Sequence, residues 1–214
     1  MDEEISEINT NTRNEKIKNF FINNKKNIIA ILSILILLLL SYFTYGEIKK
    51  RNKIKIADQY NILKINFLSD KNLNIENEMV QIIKKKDKTY SPLALYFLLD
   101  NNIVNSKDKI NSLFDFIINE INLDKEIKNL IIYKKALYNS DFESADNLLN
   151  ILNPIINSDS IWKSHALYLL GEYYLSKNEK QKSKEFFEKI LVIENSNPSI
   201  KLEAQKRIEH DFSE

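Results

Sequence analysis

The chain contains no cysteine and only two glycines, Gly46 and Gly171, in 214 residues. Without thiols there is no disulfide framework, no thiolate metal site and no cysteine nucleophile. Neither glycine has a second glycine nearby, so the Gly-rich loop that cradles a nucleotide's phosphates is missing. Glycine-rich hairpin signals are missing as well, and no run of β-branched residues alternates with polar ones as a half-buried strand requires. The two histidines, His165 and His210, stand far apart and have no cysteine to accompany them, which leaves no metal motif. No nucleophile elbow marks a serine for Ser-His-Asp catalysis. These absences lead us to expect a non-enzyme with no cofactor, no metal and no small-molecule substrate. An enzyme with an unrecognised helical active site is the competing class.

A basic excess is also lacking where nucleic-acid binding would need it. Residues 1–27 carry five acidic and five basic side chains, and residues 46–55 carry five basic and one acidic. The remaining 24 acidic and 21 basic side chains leave residues 56–214 at net −3. Nucleic acid is therefore not an expected partner. The cluster Lys49, Lys50, Arg51, Lys53 and Lys55 has the composition of a segment lying at lipid headgroups.

What the chain does have is one long apolar run. Ile28 to Tyr45 (IIAILSILILLLLSYFTY) holds eighteen residues without a charge, a proline or a glycine. At a rise of 1.5 Å per residue such a helix is about 27 Å long, close to a bilayer's hydrocarbon thickness. A helix bonds its own backbone amides, which is what crossing that layer demands. The run reads as an uncleaved membrane anchor and residues 46–214 as what it tethers. A cleaved signal peptide is the first alternative, but its apolar stretch is shorter and Thr44-Tyr45-Gly46 is a poor exit site. A buried core helix is the second, although such helices normally keep a polar stripe. Flanking charge does not orient the anchor: five Lys/Arg lie within about twenty residues before it and six after it.

Residues 1–27 read as a polar tail, frayed at first and helical from about Glu15. An amphipathic docking helix is the alternative, with a thin apolar face. Beyond the anchor, apolar residues recur at three-and-four spacing. Residues 46–89 are expected to form membrane-proximal helices, one running on from the membrane through Ile54, Ala57, Tyr60, Ile62, Leu63, Ile65 and Phe67, and one over Ile75–Ile83. Ser91 reads as an N-cap with Pro92 at the first helical position, opening Leu93–Leu99. Further helices are expected over Ile110–Ile121, Ile127–Tyr138, Phe142–Leu152, Ile161–Leu175 and Gln181–Ile193, with a last one opened by Asn197-Pro198. The tethered domain is all-α, built from short helix pairs.

Residues 90–214 carry the trace of a repeat. From Ser164 the sequence fits the 34-residue tetratricopeptide pattern: Leu167 and Leu170 are apolar, and Gly171 sits at a close helix crossing. Tyr174 packs, Ser183 fills the small site twelve residues after the glycine, Phe187 follows, and Pro198 closes the unit. The glycine and Ser183 let two helices approach while Tyr174 and Phe187 fill the space between them. The preceding unit is looser, with Ala145 at the small site, Leu149 and Leu152 after it, and Tyr133 where a small residue belongs. Ile110 and Phe114 take the corresponding places in the earliest unit. Ile110, Ala145 and Ser183 are 35 and 38 residues apart. A generic helical bundle with accidental spacing is the alternative. The fold class is thus all-α, one N-terminal transmembrane helix followed by a degenerate tetratricopeptide-repeat domain of the α-solenoid type.

An acidic opening, Arg13-Asn14-Glu15-Lys16, Lys25-Lys26 before one span, a basic exit, and small residues at Ala94, Ala136, Ala145, Ala166 and Gly171 together resemble YfgM and its relatives. The resemblance implies an ancillary subunit of the SecYEG translocon in a bacterial inner membrane, with a cytoplasmic N-terminus and a periplasmic repeat domain. It also implies contact with a PpiD-like chaperone and no catalytic chemistry. A cytoplasm-facing adaptor recruiting soluble partners is the alternative.

In stacked repeats the first helix of each pair lines the binding face. That register places Lys134 and Tyr138 beside His165, Tyr168 and Glu172 as a partner-binding groove. Tyrosines supply rigid amphipathic contact area and the charges supply orientation. The plainer reading is that these five residues are simply the exposed side of the repeats.

Overall fold

The computed structural model describes residues 2–212, with side chains from Arg13 onward. Ten helices and no strand occur among the described residues. They are α1 (Asp2–Asn23), α2 (Lys25–Ser69), α3 (Glu76–Lys84), α4 (Tyr90–Asp100), α5 (Lys107–Glu120), α6 (Lys125–Asn139), α7 (Ala145–Ile156), α8 (Lys163–Ser176), α9 (Lys180–Leu191) and α10 (Pro198–Asp211). The chain divides into two compact units, one ending at Lys55 and one starting at Ile56.

In the first unit, α1 extends helix over residues expected to fray. Nothing there stops it: no proline or glycine occurs before Gly46. The apolar run lies within α2, and its large side chains from Ile29 to Tyr45 are 49–73% exposed. No part of this segment is buried in protein, which excludes the core-helix alternative, and the helix is long and apolar enough to cross a membrane. The two hydroxyls in the run bond to their own helix, Ser33 Oγ to the Ile29 carbonyl at 2.9 Å and Thr44 Oγ1 to the Leu40 carbonyl at 2.8 Å. An internal partner is what a hydroxyl requires where no water reaches it.

The second unit stacks its helices along three apolar clusters. The first joins Tyr60 and Phe67 of α2 to Met79, Ile82 and Ile83 of α3, Leu95 and Leu98 of α4, and Phe114 and Ile117 of α5. The second joins Ala136 of α6, Leu148 and Leu152 of α7, and Leu170 and Tyr174 of α8. Leu167, Phe187, Ile190 and Ala204 form the third, between α8, α9 and α10. Each buried Leu, Ile or Phe stabilises the unit by about 1.5–3 kcal/mol relative to exposure. The arrangement is that of a helical repeat domain, in which each pair packs on its neighbours.

Helix ends show how little glycine the fold uses. Ser106, Ser144 and Asn197 accept hydrogen bonds from backbone amides at the starts of α5, α7 and α10. At the ends of α4 and α8 the left-handed position, usually glycine, is taken by Asn102 (φ 50°) and Asn178 (φ 61°). The amides that follow close both ends: Ile103 N–H donates to Leu98 O and Glu179 N–H to Tyr174 O. Asparagine tolerates that conformation because its short polar side chain bonds locally.

One cap differs from expectation. α4 begins at Tyr90, before Ser91, and the Asp87 carboxylate takes the amides of Thr89 and Tyr90. Ser91 is fully buried, and its hydroxyl donates to the Ile83 carbonyl at 2.9 Å. It satisfies the end of α3 instead of the start of α4. Pro92 still falls in the first turn, where its missing N–H costs nothing. The Asn197-Pro198 start of α10 is as expected.

Candidate functional site

The α8–α9 crossing sets the framework of the site. Ser183 is buried, and its hydroxyl donates to the Gly171 carbonyl at 2.8 Å. A Cβ built on Gly171 would lie 2.6–2.9 Å from three atoms of the Phe187 ring, closer than packed atoms approach. The glycine and serine therefore bring the two helices together beneath Phe187. Tyr174 stacks on Phe186, ring centroids 5.4 Å apart and planes 7° apart. Phe187 meets Tyr168 at 5.4 Å.

Side chains from alternate helices then link α4, α6, α8 and α10. Lys134 is exposed on α6, its Nζ 5.4 Å from the Tyr96 ring of α4. Tyr138, one turn on, is half-buried between Phe114 of α5 at 6.3 Å and Phe142 at 5.4 Å. Tyr133 of α6 stacks on Trp162 at 6.0 Å and meets His165 of α8 edge-on at 5.9 Å. Glu172 of α8 receives both arms of the Arg207 guanidinium from α10, at 2.7 and 2.8 Å. Arg207 also donates to Asp211 at 3.2 Å.

The five expected residues fall into separate sets of contacts, and only Tyr168 and Glu172 engage each other. Lys134 is engaged by Tyr96, and Glu172 by Arg207. Tyr168 lies between Phe187 and the Glu172–Arg207 pair. Four contributors escaped the sequence reading: Tyr96, Tyr133, Trp162 and Arg207. Of these, Tyr133 was visible as a misfit at a small-residue position. The others come from helices whose spatial order periodicity does not specify.

Electrostatics follow from burial. Tyr96 is pushed up to about 12 by desolvation, and its hydroxyl is enclosed without a hydrogen-bond partner. Burial pushes His165 below its ordinary value, with the Ile161 carbonyl pulling partly back. That carbonyl does not reach hydrogen-bonding geometry, and His165 Nδ1 is enclosed without a partner. Arg207 is held firmly protonated, first by Tyr168 and then by Glu172 and Asp211. The arrangement presents aromatic faces, the exposed Lys134 ammonium and the Glu172–Arg207 ion pair.

A separate cleft of about 670 Å³ opens where the α7–α8 and α9–α10 connections meet. Its lining includes Ile156, Leu167, Phe186 and Ile193, with Ile161 and Val192 at 64% and 82% exposure. None of the five expected residues lines it. Beneath it, Glu126 of α6 accepts from Ser160 Oγ at 2.7 Å and Ile161 N–H at 3.2 Å, and Trp162 Nε1 donates to the Glu126 carbonyl at 3.1 Å.

Comparison with known proteins gives one informative match. The chain is 27% identical over 181 residues to an ancillary SecYEG translocon subunit of Buchnera aphidicola, covering 82% of this chain and 90% of that protein. No family model matches the chain, and no solved structure matches it significantly. Together with the exposed membrane helix and the all-helical second unit, this match supports assignment of the chain to the YfgM-like family.

Proposed function

We propose that the chain is a membrane-anchored, non-catalytic scaffold serving as an ancillary subunit of the protein-export translocon. The observation that carries this reading is the match to the named translocon subunit over most of both chains. A relative aligned only within the helical repeats would carry much less, because that architecture hosts many functions. Here the alignment is too long to leave out both the anchor and its basic exit.

In this reading residues 28–45 cross a bacterial inner membrane, and Lys49 to Lys55 rest against anionic headgroups. The repeat unit lies in the periplasm and contacts a PpiD-like chaperone. Its partner-binding groove is the run Lys134, Tyr138, His165, Tyr168 and Glu172, completed by Tyr96, Tyr133, Trp162 and Arg207. Aromatic residues and arginine at the centre of an interface carry most of its binding energy.

Topology is the decisive test. Alkaline phosphatase fused after Glu214 is expected to be active, and a fluorescent protein that matures only in the cytoplasm is expected to stay dark there. The reverse pair of results replaces this reading with a cytoplasm-facing adaptor. With a periplasmic domain in hand, crosslinking to SecYEG is the second step. Lys134→Glu is the cleaner probe of the groove, since changing Glu172 would also release Arg207. Unchanged crosslinking to the chaperone and the translocon in that variant removes the groove assignment.

A further inference from the structure

The end of α1 leaves large apolar side chains in the open. Ile17, Phe20, Phe21 and Ile22 are 48%, 60%, 56% and 60% exposed, and the rings of Phe20 and Phe21 meet edge-on at 6.0 Å. With 3.6 residues per turn, Ile17, Phe20 and Phe21 share one side of the helix. Lys16 and Lys18 stand on its two flanks, and Glu15 and Asn19 lie opposite. Arg13 ends that side one turn earlier. Asn24 falls on it one turn later, with its amide Nδ2 donating to the Phe20 carbonyl at 3.0 Å. Ile22 lies off it and joins Phe21, Ile28 and Ile29 around a shallow hollow of about 340 Å³ edged by Lys25.

The charges around these residues are nearly all of one sign. Residues 13–27 carry five basic side chains, Arg13, Lys16, Lys18, Lys25 and Lys26, against Glu15 alone. Ion pairs among the described residues all lie beyond Gly46, so none of the five is neutralised there. Backbone hydrogen bonds run from Asn24 N–H to Phe20 O at 3.0 Å and from Ile28 N–H to Asn24 O at 2.9 Å. The helix thus leads directly into the apolar run. At 1.5 Å per residue Phe21 lies about 10 Å before Ile28. Headgroups occupy about 5–8 Å on each side of the hydrocarbon. The segment is held at the edge of that layer, and the joint at Asn24 between α1 and α2 is where a small bend lays it down.

We infer that α1 from Arg13 to Asn23 lies against an anionic bilayer surface, with Ile17, Phe20 and Phe21 in the headgroup–acyl boundary and the five cations at lipid phosphates. Continuity and charge select this occupant. The hollow joins Phe21 and Ile22 to Ile28 and Ile29, so the apolar surface of the membrane helix runs on into α1 past Lys25. Phenylalanine on one side with lysines around it is the composition of helices that lie in the interface plane. Flanking lysines keep their ammonium groups among the headgroups while their stems cover apolar surface. A protein partner would have to bring carboxylates to five cations, whereas an anionic leaflet presents phosphates along the whole segment. The inference rests on residues 28–45 crossing the membrane and adds to that anchor a second contact, made along the surface.

The absence of cysteine makes the test direct. Phe21→Cys, Asn19→Cys on the opposite side and Leu35→Cys within the span are each spin-labelled in the full chain and reconstituted in phosphatidylethanolamine–phosphatidylglycerol vesicles. Collisions with oxygen, which concentrates in the bilayer, are compared with collisions with a neutral, water-soluble nickel chelate. The label at Phe21→Cys should favour oxygen, as at Leu35→Cys, and the label at Asn19→Cys should favour nickel. In phosphatidylcholine vesicles, or with Lys16→Gln and Lys18→Gln added, the Phe21→Cys label should shift toward nickel. A nickel preference at Phe21→Cys beside an oxygen preference at Leu35→Cys overturns the inference and leaves the anchor standing. A nickel preference at both overturns the anchor as well. Equal oxygen preference at Phe21→Cys and Asn19→Cys overturns the one-sided contact, and a preference unchanged in phosphatidylcholine overturns the role of anionic lipid.

Discussion

In the α8–α9 pair Gly171 lies under the ring of Phe187, while the same register in the α6–α7 pair holds Tyr133 and Leu149. Twelve residues separate Gly171 from Ser183 and Tyr133 from Ala145, so the positions correspond. In one pair the smallest residue is matched with a large ring, fully buried. In the other the ring sits on the first helix, stacking on Trp162 and meeting His165 of α8 edge-on. Leu149, partly buried, takes the place of the second ring. The two pairs fill the same register with different residues, and the difference has consequences. The Gly171 pair keeps its ring over its own crossing, where it also meets Phe212, whereas the Tyr133 ring lies on the joint to the next pair.

Removing the ring from the Gly171 pair should have the largest effect. Phe187→Ala leaves a cavity where exposure is 0% and should destabilise the chain by about 3–5 kcal/mol, read by denaturant unfolding in detergent. A loss below the range for a surface change would mean that the crossing is not closed by that ring. Gly171→Ala comes next. Overpacking against Phe187 costs about 1–3 kcal/mol and alanine's better helix propensity returns about 1, so a net loss of up to about 2 kcal/mol is expected. Combining it with Phe187→Leu should cost less than the sum of the two, because leucine makes room for the new methyl. Strict additivity would show that the two residues do not share the space.

Tyr133→Ala tests the other pair. Losing the stack on Trp162 and the edge-on contact with His165 should cost about 0.5–1.5 kcal/mol beyond the area exposed. It should also shift the emission of Trp162, the single tryptophan, whereas Gly171→Ala should leave that emission in place. Matching spectra for the two variants would erase the distinction between the pairs.

The smallest effect is one of pH. Burial holds His165 below its ordinary value of 6.5, so the unfolded chain takes up a proton first. Its contribution to stability is complete above about pH 6.5 and is lost as pH falls from there toward the folded value, levelling off below it. The His165 ring is 5.1 Å from Trp162, so protonation should quench the tryptophan with a midpoint below 6.5. His165→Gln should abolish that step. A midpoint above 6.5 would contradict the burial of the ring.

Much of the helix layout is legible because periodicity and caps act locally. The Asn197-Pro198 start, the apolar run and the Gly171–Ser183–Phe187 crossing all rest on residues within one or two turns of each other or on one repeat period. Ser91 misleads for the same reason. Its type and its following proline suit a cap, but a carbonyl of the preceding helix lies within reach only after folding. The site is less legible than the fold. Lys134 and Glu172 are on the expected helices, yet their engagement by Tyr96 and Arg207 depends on which helices neighbour them.

The sequence by itself determined that the chain has a membrane-length apolar helix, no thiol chemistry, and a domain of short helices with one well-formed crossing. Those are consequences of composition and of hydrogen bonding and burial repeated along the chain. Tertiary structure alone decided that Tyr133 belongs to Trp162 and His165, that Arg207 closes on Glu172, and that Ile62 and Ile65 of α2 stay exposed while Tyr60 and Phe67 are buried. Contacts between residues some thirty positions apart depend on how helices stack, and periodicity within a helix carries no record of its neighbour.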